Sequence, residues 1–156
     1  MTEQPPQDEI NIWHRRFAVI CNNSAWELTQ KPERTTAEGR ELLYLAYAAA
    51  YHWSKVGTAL NHARAEVLLA HALSLSGDGE LAMQYARSAL AFFEAGNGED
   101  WDLAFAHLEV SLAAATQGED ELHRLHYSLA HAQGEAIQDQ EDRDIFFQEL
   151  GRIPAT

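Results

Sequence analysis

The sequence predicts an all-α fold of about seven helices, in which neighbouring helices form antiparallel hairpins. Apolar residues recur at intervals of three and four along most of the chain, which is typical of amphipathic helices. No segment alternates polar and apolar residues with the β-branched enrichment that strands show. A pattern of helix, glycine-acidic turn and helix occurs twice, and its glycines, Gly77 and Gly118, are 41 residues apart. Repetition at this length is typical of helical solenoids.

Composition indicates one compact and acidic domain, predicted to cover residues 9–151. The 156 residues are 46% hydrophobic, which is enough to bury a sizeable core. Eleven Lys and Arg stand against 24 Asp and Glu, and the resulting formal net charge of −13 would repel nucleic acid and anionic membrane surfaces. This charge is compatible with a basic protein partner, and it is also typical of a surface that keeps a protein soluble.

Cysteine content and the two ends of the chain bear on the compartment. The single cysteine, Cys21, excludes an internal disulfide, and no cysteine-histidine finger spacing is present, so a cytoplasmic location without structural zinc is expected. The first ten residues are acidic and proline-bearing, unlike a signal peptide, and no apolar run approaches the length of a membrane span. We expect residues 1–8 to be a disordered lead-in and residues 152–156 a tail.

The first two helices are predicted from apolar spacing and from the residues at their ends. Helix one covers about residues 9–28. Its apolar face carries Trp13, Phe17, Ile20 and Ser24. Thr35 and Glu38 form a capping-box pattern that starts helix two, which runs to about residue 56 and ends at Gly57.

Helix two has two distinct faces. Its inner stripe is formed by Leu42, Ala46, Ala49 and Trp53. Three tyrosines at spacings of three and four lie on a different side: Tyr44, Tyr47 and Tyr51. Trp53, together with Trp101 of a later helix, is predicted to be a core residue because each lies in the apolar stripe of its helix.

Helix three, predicted over residues 59–75, is apolar almost all round and should therefore have neighbours on most sides. Its polar members stand out. His62 and Glu66 share one side of the helix, and Arg64 and His71 share another. Because buried charges need partners, structural ion pairs are the favoured interpretation of Arg64 and Glu66, with a ligand-binding or catalytic role as the alternative.

The remaining four helices are separated by short turns, which favour antiparallel neighbours. Their predicted ranges are 80–94, 101–116, 120–137 and 140–150. Asp78 is placed to cap helix four, and Asp100 to cap helix five. The last helix is predicted to turn Ile145, Phe146 and Leu150 inward.

The repeated segment resembles a tetratricopeptide repeat. Small or turn-forming residues stand where that family has its helix contacts and its turn: Ala70, Gly77, Asp78, Ala82 and Ala89. Leu69 also fits an apolar contact position, whereas Glu66 occupies the position of the usual tryptophan and the terminal proline is missing. The second repeat keeps Gly118 and Ala130 but has His123 in place of the first small alanine.

This tetratricopeptide-like resemblance covers about residues 36–137, with a period longer than that of the family. It implies a right-handed stack of antiparallel helical hairpins. More narrowly, YHWSKVGTALNHARAE and DWDLAFAHLE resemble segments of an uncharacterised bacterial family of small all-helical proteins, although Ala65 and Val67 depart from the glycine and tryptophan expected there. No activity follows from this second resemblance.

Catalytic and metal-binding patterns are weak in this sequence. Phosphate-binding glycine loops, GxSxG, HExxH and paired ExxH motifs are all missing, which argues against an enzyme. The strongest metal pattern is His123 and His126, three residues apart, with Asp120 close by, and His62 with Glu66 is a similar case. Solvated or core-edge histidines are the favoured interpretation of both, so no metal ligand and no cofactor is predicted.

The favoured function is a non-enzymatic protein-protein interaction scaffold. In stacked hairpins, the first helices of successive pairs line a concave surface that binds a peptide, a helix or a second copy. The predicted binding residues lie on helices two, three and five: Tyr44, Tyr51, His52, Asn61, Arg64, Asp102, Phe105 and Glu109. The alternative is a small-molecule binder or enzyme, with a polar pocket between the same three helices.

Two further expectations follow from these patterns. Arg64 should form an ion pair with a carboxylate of a neighbouring helix, most plausibly Asp102. Self-association is also expected, because the apolar residues of the last helix would remain uncovered at the end of a short solenoid. Those residues are Ile145, Phe146, Phe147 and Leu150.

Overall fold

The computed structural model describes residues 3–156 and contains, within this range, seven α-helices and no strand. The helices are α1 (Gln7–Thr29), α2 (Thr36–Val56), α3 (Ala59–Leu75), α4 (Gly79–Glu94), α5 (Asp100–Gln117), α6 (Asp120–Glu135) and α7 (Gln140–Leu150). The predicted all-α fold is therefore confirmed for the described part of the chain. Residues 1 and 2 of the expected lead-in lie outside it. None of the helices found in residues 3–156 is long and apolar enough to cross a membrane.

Most helix ends lie where local chemistry predicts them. Thr35 accepts a hydrogen bond from the Glu38 N–H at 3.2 Å while the Glu38 side chain accepts one from Thr35 N–H, which is the predicted capping box. Asp78 caps α4 by accepting a hydrogen bond from Leu81 N–H. Gly77 and Gly118 end their helices with φ of 87° and 74°, a left-handed conformation that glycine adopts without strain.

Three predicted helix ends need correction. The N-cap of α5 is Glu99 and not Asp100, because Asp102 lies three residues further on and accepts a hydrogen bond from Glu99 N–H at 2.8 Å. Helix α1 begins at Gln7, directly after Pro6, whose fixed φ suits the entry to a helix. Helix α6 ends at Glu135, two residues before the predicted end, and Ile137 lies beyond it in the buried core.

The chain divides into two compact units, Met1–Leu69 and Ala70–Thr156, with the boundary inside α3. In the first unit α1 and α2 form an antiparallel hairpin, in which His14 near the start of α1 lies beside His52 near the end of α2. Small side chains fill most of the buried positions between these two helices: Ala18, Ala25, Leu42, Ala46 and Ala49. The inner stripe predicted for α2 is confirmed, with Trp53 half-buried at its end.

The second unit is built around α5, which packs against α4, α6 and α7. A central cluster of buried apolar residues holds α5, α6, α7 and the chain after α7 together: Ala104, Leu108, Leu112, Ala130, Ile137, Phe146, Leu150 and Ile153. Half-buried Trp101 and Phe105 pack against this cluster. Ile153 lies in the stretch expected to be a tail, yet its side chain is buried in this core.

The last helix differs from its prediction in one respect. Phe146 and Leu150 face inward as predicted, but Ile145 is 48% exposed because it lies on the opposite side of α7. The apolar C-terminal surface expected to drive self-association is therefore mostly covered, and that reason for self-association was wrong. Phe146 packs so closely on α6 that a Cβ added at Gly134 would overlap with its ring.

The packing of adjacent helices as hairpins is consistent with a tetratricopeptide-like stack. The small residues that suggested the repeat are fully buried: Ala70, Ala82, Ala89 and Ala130. At the position where the second repeat has His123 in place of a small alanine, Ser111 of α5 lies opposite and hydrogen-bonds to the imidazole. A polar pair thus takes the place of a small-residue contact.

Candidate functional site

The eight predicted binding residues lie in both units of the chain. Tyr44, Tyr51, His52, Asn61 and Arg64 belong to the first unit, and Asp102, Phe105 and Glu109 belong to the second. The Arg64–Asp102 ion pair joins residues of the two units and stays a prediction.

The three predicted binding residues of the second unit make contacts inside that unit. Asp102 is almost fully buried and accepts the hydrogen bond from Glu99 that starts α5. The Phe105 ring packs edge to face on Phe146, with ring centroids 5.2 Å apart, at the border of the core. Glu109 has no exposed surface and pairs with His71. We therefore do not include these three side chains in the partner-binding surface proposed below.

In the first unit, Asn61 also has a local role. Its Oδ1 accepts hydrogen bonds from the backbone N–H and the hydroxyl group of Thr58, both at 3.0 Å, at the start of α3. Such a side-chain contact satisfies a donor that the first helical turn leaves without a backbone partner. Tyr44, Tyr51 and His52, in contrast, lie on the surface of the α1–α2 hairpin.

Large apolar side chains are exposed on both helices of this hairpin. Six of its large side chains are between 41% and 72% exposed: Trp13, Phe17 and Ile20 of α1, with Tyr44, Tyr47 and Tyr51 of α2. We call this set the aromatic face. Trp13 stacks on Phe17 with ring centroids 5.8 Å apart, Phe17 packs on His52, and His52 packs on Tyr51, so the face continues from one helix to the other.

The apolar stripe predicted for α1 is thus largely on the surface, and this corrects the prediction. The buried residues of α1 are Ala18, Ala25 and Thr29, which lie on another side of the same helix. Small residues let two helices approach closely, and bulky Trp13 and Phe17 could not occupy that narrow contact. The alanines at a seven-residue spacing are the sequence signal that could have identified the packed side.

Two histidines lie at the centre of the aromatic face. The Nδ1 atoms of His14 and His52 are 2.8 Å apart, and the two rings are half-buried between Phe17 and Tyr51. Burial, together with the neighbouring His14, lowers the pKa of His52. There was little reason in the sequence to select His14, because its partner His52 is 38 residues away along the chain. Its position next to Trp13 was the one local signal for it.

A second pair of histidines joins α5 to α6 in the other unit. The Nδ1 atoms of His107 and His126 are 3.0 Å apart, and one helical turn away Ser111 Oγ lies 2.7 Å from His123 Nδ1. His107 is 6% exposed, and burial together with His126 lowers its pKa to about 4. Burial also lowers the pKa of His126, with Glu94 opposing the shift. These contacts form a polar seam between two packed helices.

A buried acid-base pair connects α3 to α5 within the second unit. His71 Nδ1 lies 2.9 Å from Glu109 Oε1 and 3.2 Å from Oε2. Burial raises the pKa of Glu109 although His71 acts in the opposite direction, and Glu149 of α7 raises it further. Glu149 forms an ion pair with Arg152 at the end of α7. The His71–Glu109 contact therefore links α3 to α5, with the carboxylate of Glu149 close enough to disfavour the charged form of Glu109.

Other candidate sites are less developed. A surface depression of about 590 Å³ lies beside the start of α6, lined by Arg87, Glu119, Asp120, Glu121, Leu122 and Leu125. Within residues 3–156, no group of three or more His, Cys, Asp or Glu side chains is arranged to hold a metal ion. His123 contacts Ser111 and Tyr127, and His126 contacts His107.

Comparison of the chain with protein-family models, curated proteins and solved structures gives no match. The proposals below therefore depend on the contacts, charges and exposed surfaces described above.

Proposed function

We propose that this chain is a non-enzymatic protein-interaction scaffold that binds a second copy of itself through the aromatic face of the α1–α2 hairpin. The observation that carries the proposal is the run of contacting and exposed rings Trp13, Phe17 and Tyr51, joined through His52, on a hairpin that also exposes Tyr44. Exposed apolar patches of this kind mark interaction surfaces in proteins. The concave groove expected from the repeat is not needed for this proposal.

The size and composition of the face fit a protein interface. An aromatic side chain has about 150–250 Å² to bury, so these half-exposed residues present on the order of 600 Å² of apolar surface. This is the upper end of what monomers usually expose, and a polar rim would bring it to the roughly 800 Å² per partner of a standard interface. Tyrosine, tryptophan and phenylalanine are also the residue types enriched at the centres of interfaces.

The distribution of charge favours a second copy as the partner. Seven of the eleven Lys and Arg residues, but only eight of the 24 Asp and Glu residues, fall in residues 1–69, so this unit has a formal charge of −1. The remaining residues have a formal charge of −12. Two copies of an acidic protein meet with least repulsion where acidic groups are sparse, and the aromatic face lies in the nearly neutral unit.

The geometry of the hairpin supports the same choice. Two antiparallel hairpins that place their apolar faces together form a four-helix bundle, a common arrangement for paired helices. The contact would be isologous, with the same residues of both copies on either side of a two-fold axis. A single surface patch then suffices for a closed dimer.

Analytical ultracentrifugation over a range of concentrations tests this proposal. We expect the wild-type protein to sediment as a dimer at concentrations well above micromolar. Replacing Phe17 and Tyr44 with serine should yield a monomer with unchanged helical circular dichroism, because both residues are exposed and contribute little to the core.

The matched control replaces Leu125 and Ile145 with serine. These apolar residues of the second unit have similar exposure but lie outside the aromatic face, so this variant should remain dimeric. A monomeric wild-type protein at these concentrations would contradict self-association. If the control variant dissociates to the same extent as the Phe17 and Tyr44 variant, the interface is not specific to the hairpin.

A further inference from the structure

The pair of imidazoles at the centre of the aromatic face has the geometry of a chelating site. His14 and His52 direct the same ring nitrogen, Nδ1, toward each other at 2.8 Å. An ion with metal-nitrogen bonds of about 2.0 Å and a right angle between them holds its two nitrogens about 2.8 Å apart. The separation therefore suits two adjacent ligands of a tetragonal divalent ion.

We propose that His14 and His52 bind a divalent transition metal of the nickel or copper type, with solvent at the remaining positions. Coordination through both Nδ1 atoms requires each neutral ring to carry its proton on Nε2, so the ring that holds its proton on Nδ1 would change tautomer on binding. Imidazole nitrogen is a preferred ligand of Ni²⁺ and Cu²⁺, and both ions accept square or octahedral surroundings. One chain supplies both protein ligands, so the site is complete in the monomer, and because the pair lies within the aromatic face we expect Ni²⁺ binding to compete with self-association.

The surroundings hold the rings ready for such an ion. Phe17 packs on His52 with ring centroids 5.5 Å apart, and Tyr51 packs on both histidines at 5.9 Å and 5.3 Å. These contacts restrict rotation of the rings, and limiting that freedom before binding reduces its entropic cost.

The pair also differs from the other histidine pair in its access to solvent. His14 and His52 are both half-buried on the surface of a two-helix hairpin. His107 is almost fully buried between α5 and α6, where little room remains for an ion and its water ligands. The His107–His126 pair therefore provides a control with similar ring spacing and a different environment.

Metal binding at this site would link the two helices of the hairpin. His14 belongs to the second turn of α1 and His52 to the last turns of α2, so a bound ion joins segments 38 residues apart in the chain. A ligand that binds the folded chain stabilises it in proportion to the logarithm of its concentration above the dissociation constant. Thermal unfolding should therefore report occupancy.

The experiment measures Ni²⁺ binding by isothermal titration calorimetry and the melting temperature by circular dichroism. For the wild-type protein we expect one ion per chain with a micromolar dissociation constant, and a rise of several degrees in melting temperature that a chelator reverses. His14→Gln and His52→Gln should each weaken binding at least tenfold and remove the rise, while retaining the helical spectrum.

His107→Gln, made in parallel, should bind Ni²⁺ as the wild-type protein does. Glutamine is chosen because it can replace an imidazole hydrogen bond but is a poor ligand of Ni²⁺. Two separate variants are made so that the test remains valid if one of them fails to fold. Unchanged Ni²⁺ affinity in both His14→Gln and His52→Gln would overturn the assignment. Equal loss of affinity in His107→Gln would also overturn it, since binding would then depend on the other histidine pair.

Discussion

His71 Nδ1 lies 2.9 Å from Glu109 Oε1, and both side chains are almost completely buried in the second unit. A carboxyl group that is buried to this extent needs a partner, because an isolated charge is expensive away from water. The raised pKa of Glu109 means that this group retains a proton more readily than an exposed glutamate does. Its contribution to stability is therefore closer to that of a hydrogen bond than to that of a full ion pair.

We expect Glu109→Leu to lower the free energy of unfolding by about 3 kcal/mol, since it removes the hydrogen-bonding partner of buried His71. Glu109→Gln, which resembles the protonated acid in shape and hydrogen bonding, should cost about 1 kcal/mol. Urea denaturation gives both values. Equal midpoints for the wild-type protein and Glu109→Leu would show that the pair contributes nothing to stability.

The polar seam between α5 and α6 predicts a loss of stability in acid. The pKa of His107 falls from its usual 6.5 to about 4 in the folded chain, so the unfolded chain binds more protons between these values. The resulting stabilisation is complete above about pH 6.5 and is lost as the pH falls toward 4. Its full size is about 3 kcal/mol, at about 1.4 kcal/mol for each pH unit between 6.5 and 4.

Comparison with His107→Gln isolates this effect from the other titrating groups. Between about pH 7 and pH 4.5 the wild-type protein should lose more stability than the variant, as measured by urea denaturation at each pH. Glu109, whose raised pKa acts in the opposite direction, is common to both proteins and cancels in the difference. Parallel pH curves for the two proteins would contradict the neutral, buried state of His107.

Gly134 provides a test of the packing between α6 and α7. In Gly134→Ala the new Cβ would overlap with two ring atoms of Phe146, a fully buried side chain. We expect this change to destabilise the fold by about 1–3 kcal/mol, the usual cost of overpacking a core. Thermal or urea unfolding gives the value.

The matched change is Gly39→Ala in α2. A Cβ at Gly39 would have no heavy atom within 4 Å, so the substitution should raise stability by about 0.4–1 kcal/mol by restricting the unfolded chain. The two helical glycines should thus respond with opposite signs. A stabilising effect of Gly134→Ala would mean that Phe146 can move aside at little cost.

Salt should strengthen the proposed dimer. Each chain has a formal net charge of −13, and the aromatic face supplies attraction that is largely apolar. Raising NaCl from about 0.1 M to about 1 M shortens the Debye length from about 10 Å to about 3 Å and screens repulsion between the copies. We expect the dimer dissociation constant to fall severalfold in ultracentrifugation. A rise would indicate that ion pairs between the copies dominate the contact.

The ends of the helices were largely determined by the sequence. The residues that end or begin helices interact only with groups a few positions away, so a local sequence pattern identifies them. They are Thr35 with Glu38, Asp78, and the turn glycines Gly77 and Gly118. The 41-residue spacing between Gly77 and Gly118 can also be read directly from the sequence. The α5 cap shows the limit of this reasoning, because either of two adjacent acidic residues could take that position.

Which face of a helix is buried was decided by tertiary structure. Helix α1 has one side with Trp13 and Phe17 and another with Ala18 and Ala25, and periodicity alone does not rank them. Because α2 packs closely against α1, the side with Ala18 and Ala25 is buried, and Trp13 and Phe17 remain on the surface. The His14–His52, His71–Glu109 and Ser111–His123 contacts also join residues 12 to 38 positions apart. Such pairs depend on how packed helices are aligned, which no local pattern in the sequence specifies.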